Sequence, residues 1–144
     1  MLIKQNRYDE LYSDIAKRVS EMSFDTDTKV GAIIVKDGNI ISMGWNGTPS
    51  GFDNACKNPN TGVTLPYVIH AEANAIAKLA RDGGNGLGAT LYCTLAPCME
   101  CTKLILQSGI SEVVVPALDE RYLDSYKILN EKGLIRVWKS TTKP

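Results

Sequence analysis

The residues best able to do chemistry in this chain are a histidine, two cysteines and a glutamate in two short motifs. His70 is the only histidine, and it stands two residues before Glu72. Cys98 and Cys101 form a Cys-x-x-Cys pair that follows a proline. One imidazole and two thiolates suit Zn²⁺, whose catalytic sites keep three protein ligands and leave the fourth position to water. We therefore predict that His70, Cys98 and Cys101 bind one zinc ion.

The spacing within each motif indicates where it must lie. Cys98 and Cys101 are three residues apart, so they share one side of a first helical turn. His70 and Glu72 are two apart, which is about 200° of rotation in a helix, and in mid-helix they would diverge. We therefore expect this pair at a helix entrance, with His70 turned to the metal and Glu72 turned to its water.

Such a centre favours a hydrolytic deamination. Zinc lowers the pKa of a bound water toward about 7, and Glu72 can take that proton and return it to a leaving amine. This residue pattern is typical of zinc deaminases, in which water attacks an amidine-like ring carbon and ammonia leaves. Two alternatives stay open: a structural zinc with Glu72 or Cys93 as its fourth ligand, or a thiol pair without a metal.

The composition limits the function classes. The 144 residues carry 44% hydrophobic side chains, which predicts one compact domain over 1–144 with a polar tail at 139–144 that frays. Sixteen basic residues balance sixteen acidic ones, which disfavours nucleic acid as a partner. We find no membrane-length apolar run and no signal peptide, and so expect a cytoplasmic protein with no membrane partner. In that reducing compartment the cysteines are not expected to form disulfides.

The elements that must position these motifs follow an α/β order. Hydrophobic spacing predicts a helix at 6–22, and an Asp-Gly turn joins strands at 30–35 and 40–43. A loop at 44–66 has the length that usually serves a site. Helices are then predicted at 71–81, 98–108 and 122–131, and strands at 89–95, 112–115 and 134–138. Right-handed crossovers make the last three strands parallel, in a mixed five-stranded sheet with helices on both faces.

From Tyr8 to Trp138 the sequence resembles the deoxycytidylate (dCMP) deaminases of the cytidine deaminase superfamily. Besides the two zinc motifs, it carries Ser23-x-Asp25-x-x-Thr28-x-Val30-Gly31-Ala32, the segment Gly-Trp-Asn-Gly-Thr-Pro-Ser-Gly at 44–51, and Asn74-Ala75-Ile76. The segment at 44–51 separates this branch from the nucleoside and tRNA-editing branches. The resemblance implies a three-layer α-β-α cytidine deaminase-like fold. It also implies zinc-dependent hydrolysis of dCMP to dUMP and ammonia, which supplies thymidylate synthesis.

The same resemblance implies partners and regulation. Members of the family are homo-oligomers, commonly hexamers, with one catalytic Zn²⁺ per subunit, and they are activated by dCTP and inhibited by dTTP, with Mg²⁺ on the triphosphate. This sequence has Phe24 and Thr26 where the family often has Lys and Pro, and Ala96 where a polar residue is common. Only Cys56 and Cys93 remain outside the zinc motifs, so we expect no second zinc and place Cys93 in the core.

Several residues are predicted to contact nucleotides. The Asn46 amide can donate to and accept from a sugar hydroxyl, although Asn46-Gly47 could simply turn the chain. Ser23, Lys29 and the pair Arg121-Tyr122 are candidates for the phosphate, against the alternative of solvated surface charge. The predicted substrate-binding residues are Asn46, Ser23, Lys29, Tyr122 and Ala71, and the predicted effector-binding residues are Asn46, Gly47 and Arg81. The resemblance associates Arg81 with subunit contact and nucleotide binding, and a charge at a helix C-terminus is the alternative.

Two other functions compete with this interpretation. The same zinc chemistry could act on another nucleoside, a base or a tRNA adenosine. A non-catalytic zinc or nucleotide-binding module could use the same fold.

Overall fold

The computed structural model describes residues 2–140, with side chains from Lys4 onward. The predicted fraying concerns 139–144, of which 141–144 lie outside the described residues. The helices are α1 (Leu2–Ser20), α2 (Ala71–Arg81), α3 (Met99–Gln107) and α4 (Leu123–Glu131). The strands are β1 (Gly31–Lys36), β2 (Asn39–Trp45), β3 (Thr90–Cys93), β4 (Glu112–Val115) and β5 (Ile135–Val137). A short 3₁₀ helix, Glu120–Tyr122, leads into α4.

The five strands form one mixed sheet in the order β2-β1-β3-β4-β5. β1 pairs antiparallel with both β2 and β3, whereas β3, β4 and β5 run parallel. The sequence-based prediction of a mixed five-stranded sheet with a parallel second half is confirmed. The strand predicted at 89–95 is shorter because pairing with β1 ends at Cys93 and pairing with β4 ends at Tyr92, after which the chain leads to α3.

The predicted hairpin between β1 and β2 is also present. Its two turn residues, Asp37 and Gly38, have φ values of 51° and 77°. A two-residue hairpin with both central φ values positive favours Asp followed by Gly, because Gly lacks the Cβ that opposes this conformation. The turn brings Lys36 opposite Asn39, and a register shift between Ile34 and Val35 then places Ile34 opposite Ser42.

Both faces of the sheet are covered, which gives the expected three layers. Along β1, Ala32 and Ile34 belong to the core beneath α2, α3 and α4, whereas Ile33 and Val35 belong to the core beneath α1. Consecutive strand residues point to opposite faces, so one buried strand serves both cores. Among residues 2–140, no helix combines the length and apolar character needed to cross a membrane.

Two glycines allow helices to approach the sheet closely, one on each face. A Cβ at Gly31 in β1 would overlap the backbone oxygen of Ala16 in α1. A Cβ at Gly44 in β2 would lie 2.5 Å from the backbone nitrogen of Ala75 in α2. Because both neighbours are backbone atoms, a side chain at either glycine would displace a helix. Gly44 therefore sets the depth of α2, the helix that begins with the His70 motif.

An ion-pair network joins α1 to the sheet on the opposite face. The fully buried Asp9 carboxylate accepts hydrogen bonds from the Tyr92 hydroxyl at 2.7 Å and from both terminal nitrogens of Arg136 at 3.0 and 3.1 Å. Arg136 also donates from Nε to Glu112 at 2.9 Å. Burial opposes ionisation of Asp9, but hydrogen bonds from Arg136, Tyr92 and Gln5 outweigh it and hold its pKa below the usual value.

Candidate metal centre

The three predicted ligands lie at the starts of α2 and α3. His70 is the N-cap residue of α2 and Cys98 that of α3, both with extended backbone, and neither side chain makes a capping hydrogen bond. Their side chains are therefore available to a ligand. Cys101 lies in the first turn of α3 and is buried. The prediction that both motifs stand at helix entrances is confirmed.

The donor atoms converge at distances that suit zinc. His70 Nδ1 lies 3.4 Å from Cys98 Sγ and 3.4 Å from Cys101 Sγ, and all three donor atoms lie within 4.8 Å of one another. Tetrahedral zinc with bonds of about 2.0 Å to nitrogen and about 2.3 Å to sulfur separates such atoms by about 3.5 Å. The donor set and its spacing therefore fit a zinc ion.

Glu72 lies beside this cluster but does not join it. Its side chain lines the same cavity as His70 and Cys98, and the residue is only 5% exposed. Burial raises the pKa of the carboxyl group, against the lowering influence of its own backbone N–H, His70 and the Cys101 thiol. Burial and the nearby Glu72 charge likewise raise the pKa of the Cys101 thiol. A cation bound among the donor atoms would instead lower the pKa of the thiol and favour the thiolate.

A cavity of about 230 Å³ opens onto these groups. Its wall combines a minority of apolar side chains with a larger number of polar and charged ones, which could fix the orientation of a polar small molecule. The apolar part comprises Val30, Val68, Ala71, Leu95 and Ala96. The polar part, besides the groups already described, comprises Asp25, Thr28, Asn46, Lys57, Thr64, Arg121 and Tyr122.

Three of the predicted substrate residues line this cavity: Asn46, Ala71 and Tyr122. Asn46 also holds the backbone in place. Its Oδ1 accepts from the Val30 N–H at 2.9 Å, and its Nδ2 donates to the Thr28 carbonyl at 2.8 Å. Each end of an amide has one further hydrogen-bonding position, so this structural role leaves Asn46 able to contact a ligand.

The structure does not bring the other two, Ser23 and Lys29, into this cavity. The Ser23 hydroxyl is buried, donates to the Asn46 carbonyl at 2.7 Å and accepts from the Asp25 N–H at 3.2 Å. Lys29 lines a separate cavity next to α1, together with Lys17. The next residue, Val30, lines the metal-side cavity instead.

The predicted effector residues are divided between two cavities. Gly47 and Arg81 line a second cavity of about 490 Å³, whereas Asn46 faces the first. Arg81 is exposed and pairs with Asp82 at 2.9 Å. Lys78 also lines the second cavity, and its ammonium stands 4.8 Å from the centre of the Trp45 ring.

Lys57 is a cavity residue that the sequence did not reveal. Its Nζ donates to Thr64 Oγ1 at 2.6 Å and lies 3.4 Å from carboxylate oxygens of Asp25 and Asp27. Burial opposes ionisation of Asp25, but backbone N–H groups and the Lys57 charge outweigh it and lower its pKa. The only sequence signal was the length of the loop that contains Lys57.

The expectation that Cys93 lies in the core is confirmed, and Cys56 is buried as well.

Comparison with known proteins agrees with this geometry. Residues 6–117 match the family described as the cytidine and deoxycytidylate deaminase zinc-binding region. The deoxycytidylate deaminase of Saccharomyces cerevisiae is 33% identical over 146 residues, which cover 95% of this chain and 46% of that protein. This chain thus spans about half the length of the yeast relative. The deoxycytidylate deaminase of Mycobacterium phage D29 is 36% identical over 122 residues, which cover 76% of this chain and 94% of that protein.

A solved structure extends the agreement to the fold. The dCMP deaminase of cyanophage S-TIM5, crystallised in complex with dCMP and dUMP, superposes with a TM-score of 0.84 at 39% identity. The match covers 92% of this chain and 97% of the cyanophage chain. With the His-Cys-Cys cluster and the mixed sheet, these matches establish that the chain belongs to the cytidine and deoxycytidylate deaminase family.

Proposed function

We propose that this chain is a zinc-dependent enzyme that hydrolyses dCMP to dUMP and ammonia, and that residues 1–144 act as one domain. The observation that carries the proposal is the meeting of three zinc-type donors and a buried carboxylate in one cavity. The similarity to the cyanophage enzyme, which was crystallised with dCMP and dUMP, supports the choice of nucleotide.

The chain's own residues would divide the work. His70, Cys98 and Cys101 would hold one zinc ion per chain, and the N-termini of α2 and α3 favour the thiolates by placing partial positive charge beside them. When bound, the ion supplies Lewis-acid activation of water near neutral pH.

Glu72 would move the protons. Because its carboxylate lies beside the donor cluster without joining it, it is free to accept a proton from the attacking water. It delivers this first proton to the ring nitrogen, then takes the remaining proton from the new hydroxyl group on the ring carbon and passes it to the amino group, which leaves as ammonia. The apolar wall formed by Val30, Val68 and Leu95 would limit the access of other water to the reacting carbon.

Asn46, Ala71 and Tyr122 would contact the nucleotide, since all three border the cavity. Arg121 also borders the cavity and would meet the phosphate. Its guanidinium lies over the Tyr122 ring, 5.0 Å from the ring centre, and pairs with Asp119 at 2.7 Å. A planar guanidinium can bind a phosphate through two parallel hydrogen bonds.

We also propose the regulation typical of the family: a homo-oligomer, commonly a hexamer, activated by dCTP with Mg²⁺ and inhibited by dTTP. Two cations, Lys78 and Arg81, border the second cavity beside Gly47, and they would suit a triphosphate. In a cytoplasmic setting the dUMP would supply thymidylate synthesis. Saturation curves for dCMP with and without dCTP plus Mg²⁺, or with dTTP, test the regulation, and superimposable curves would contradict it.

A substrate panel tests the main proposal. The zinc-loaded protein is incubated with dCMP, CMP, deoxycytidine and adenosine at equal concentrations, and ammonia release is measured. We expect turnover of dCMP to exceed that of the others. Equal turnover of deoxycytidine and dCMP would contradict a contact between the protein and the phosphate. Faster turnover of adenosine would indicate another branch of the deaminase superfamily. Zinc binding without any turnover would indicate a non-catalytic module.

A further inference from the structure

Residues 56–65 form a small hairpin at the edge of the metal-side cavity, which we name the rim hairpin. Lys57 and Thr64 form an antiparallel bridge. The Asn58 N–H donates to the Val63 carbonyl at 2.9 Å, and the Leu65 N–H donates to the Cys56 carbonyl at 2.8 Å. The tip, from Pro59 to Val63, is exposed. The hairpin is thus a defined local unit whose base borders the cavity.

A turn at 25–28 borders the same cavity through Asp25 and Thr28. Asp25 Oδ1 accepts hydrogen bonds from the backbone N–H groups of Asp27 and Thr28, which fixes the turn. The Thr28 carbonyl in turn accepts from Asn46, which anchors the turn to the cavity wall. This segment is therefore a fixed support beside the rim hairpin.

Lys57 connects the two segments. Its side chain is 20% exposed and reaches the buried Asp25 and the exposed Asp27 at 3.4 Å each. Both distances are longer than the about 2.7–2.9 Å of a charge-assisted hydrogen bond, so one ammonium is shared between two carboxylates as an ion-pair cluster. The bond to Thr64 lies within the hairpin, so the hairpin itself holds the ammonium that pairs with the turn.

We propose that Lys57 is a positioning residue that closes the rim hairpin over bound nucleotide by pairing with Asp25 and Asp27. This inference rests on the proposed function for the identity of the nucleotide. Lys57 and Asp25 border the same cavity as Glu72, but they belong to the rim hairpin and the turn at 25–28 and not to the helix starts that carry Glu72 and the Cys98 motif, so closure acts on retention of the substrate. Loss of the lysine charge therefore weakens nucleotide retention and spares the chemical step.

The test compares the zinc-loaded wild type with Lys57→Met, Lys57→Arg and the control Lys36→Met. Lys36 is a surface lysine that hydrogen-bonds to Asn85 at 3.0 Å. For Lys57→Met we expect KM for dCMP to rise about tenfold, with kcat within about twofold. Amide hydrogen exchange should become faster at Asn58 and Leu65 but not in α2. Lys57→Arg should restore most of both effects, and Lys36→Met should show neither.

A milder variant guards against a folding defect. Asp27→Asn removes one exposed charge and should raise KM and hairpin exchange by less than Lys57→Met does. Unchanged exchange at the rim hairpin in Lys57→Met would overturn the proposal, as would a fall in kcat at constant KM. A KM increase for dCMP but not for deoxycytidine would also overturn it, since it would indicate a direct phosphate contact. If the wild type did not turn over dCMP, the proposed function would be overturned instead. The hydrogen-exchange measurement needs no turnover, so it would still test the contact made by Lys57.

Discussion

Asp9 and Glu72 are both buried carboxylates, but they lie on opposite sides of the sheet and have different surroundings. Asp9, on the α1 side, accepts hydrogen bonds from Gln5, Tyr92 and Arg136, and these partners lower its pKa in spite of burial. Glu72, on the α2 side, lies in a cavity wall, and burial is the strongest influence on its pKa and raises it.

The contrast separates a structural charge from a reactive one. A buried charge that has its full set of partners holds elements together, and removing a partner exposes the desolvation cost of the charge. A buried carboxylate beside a ligand cluster can instead change its protonation state during a reaction. Substitutions on the two faces should therefore give opposite patterns of stability and activity.

The largest effect is expected for Glu72→Gln. The amide keeps the size of the side chain but cannot carry a proton, so kcat for dCMP should fall by about 10²- to 10⁴-fold. Stability to urea should be unchanged or higher, because a poorly solvated acid has been removed. Steady-state kinetics and urea unfolding measure both quantities. Turnover close to that of the wild type would exclude Glu72 as the proton carrier.

Arg136→Met should give the reverse pattern. It leaves Asp9 buried without its cation, so we expect the free energy of unfolding to fall by about 2–3 kcal/mol, less than for a fully buried pair since Arg136 is 36% exposed. The kcat of the folded enzyme should be unchanged. Arg18→Met, which breaks the exposed pair with Glu21, is the control and should cost less than about 1 kcal/mol. Equal losses in the two variants would contradict a structural role for the network.

A glycine on each face offers a matched comparison. Gly31→Ala and Gly44→Ala each force a methyl group against helix backbone, and each should lower stability by about 1–3 kcal/mol. Only Gly44→Ala displaces α2, which carries Glu72, so only this variant should also lower kcat, by about tenfold or more. Unfolding and dCMP kinetics on both variants test the comparison. A similar kcat in the two would show that the depth of α2 does not control the site.

The smallest effect concerns pH. Because the pKa of Asp9 is lower in the folded protein than its usual value of 3.8, its contribution to stability is complete above that value. The contribution is lost as the pH falls from about 4 through the folded pKa. The free energy of unfolding, measured with urea between pH 3 and pH 6, should therefore change less with pH in Asp9→Asn than in the wild type. Parallel profiles would indicate that Asp9 does not titrate in this range.

Local patterns in the sequence predicted much of the fold and the metal cluster. The Asp37-Gly38 turn requires only two residues with positive φ, and the spacing of His70 and Glu72 requires only a helix start. Such features depend on neighbouring residues, so they can be predicted before the tertiary structure is known. Helix α1 begins at Leu2, whereas the sequence-based prediction began it at residue 6. No typical N-cap residue marks this start in the sequence.

Contacts between distant segments could not be predicted in the same way. Arg136 reaches Asp9 from the other end of the chain, and Lys57 reaches Asp25 across a loop without periodicity. Lys29 was predicted to contact the phosphate, but it lines a cavity on the α1 side. The side of the sheet on which such a residue lies depends on the register of the neighbouring strand. The presence of a lysine in the sequence does not reveal that register.

The most direct test of the account is the zinc content of two purified variants, measured by elemental analysis beside the wild type. We propose that the zinc ligands are His70, Cys98 and Cys101, and that Glu72 is not a ligand. We therefore predict about one zinc per chain in the wild type and in Glu72→Gln, and almost none in Cys98→Ser. Loss of zinc from Glu72→Gln to the same degree as from Cys98→Ser would make the carboxylate a fourth ligand and contradict the proposed enzyme.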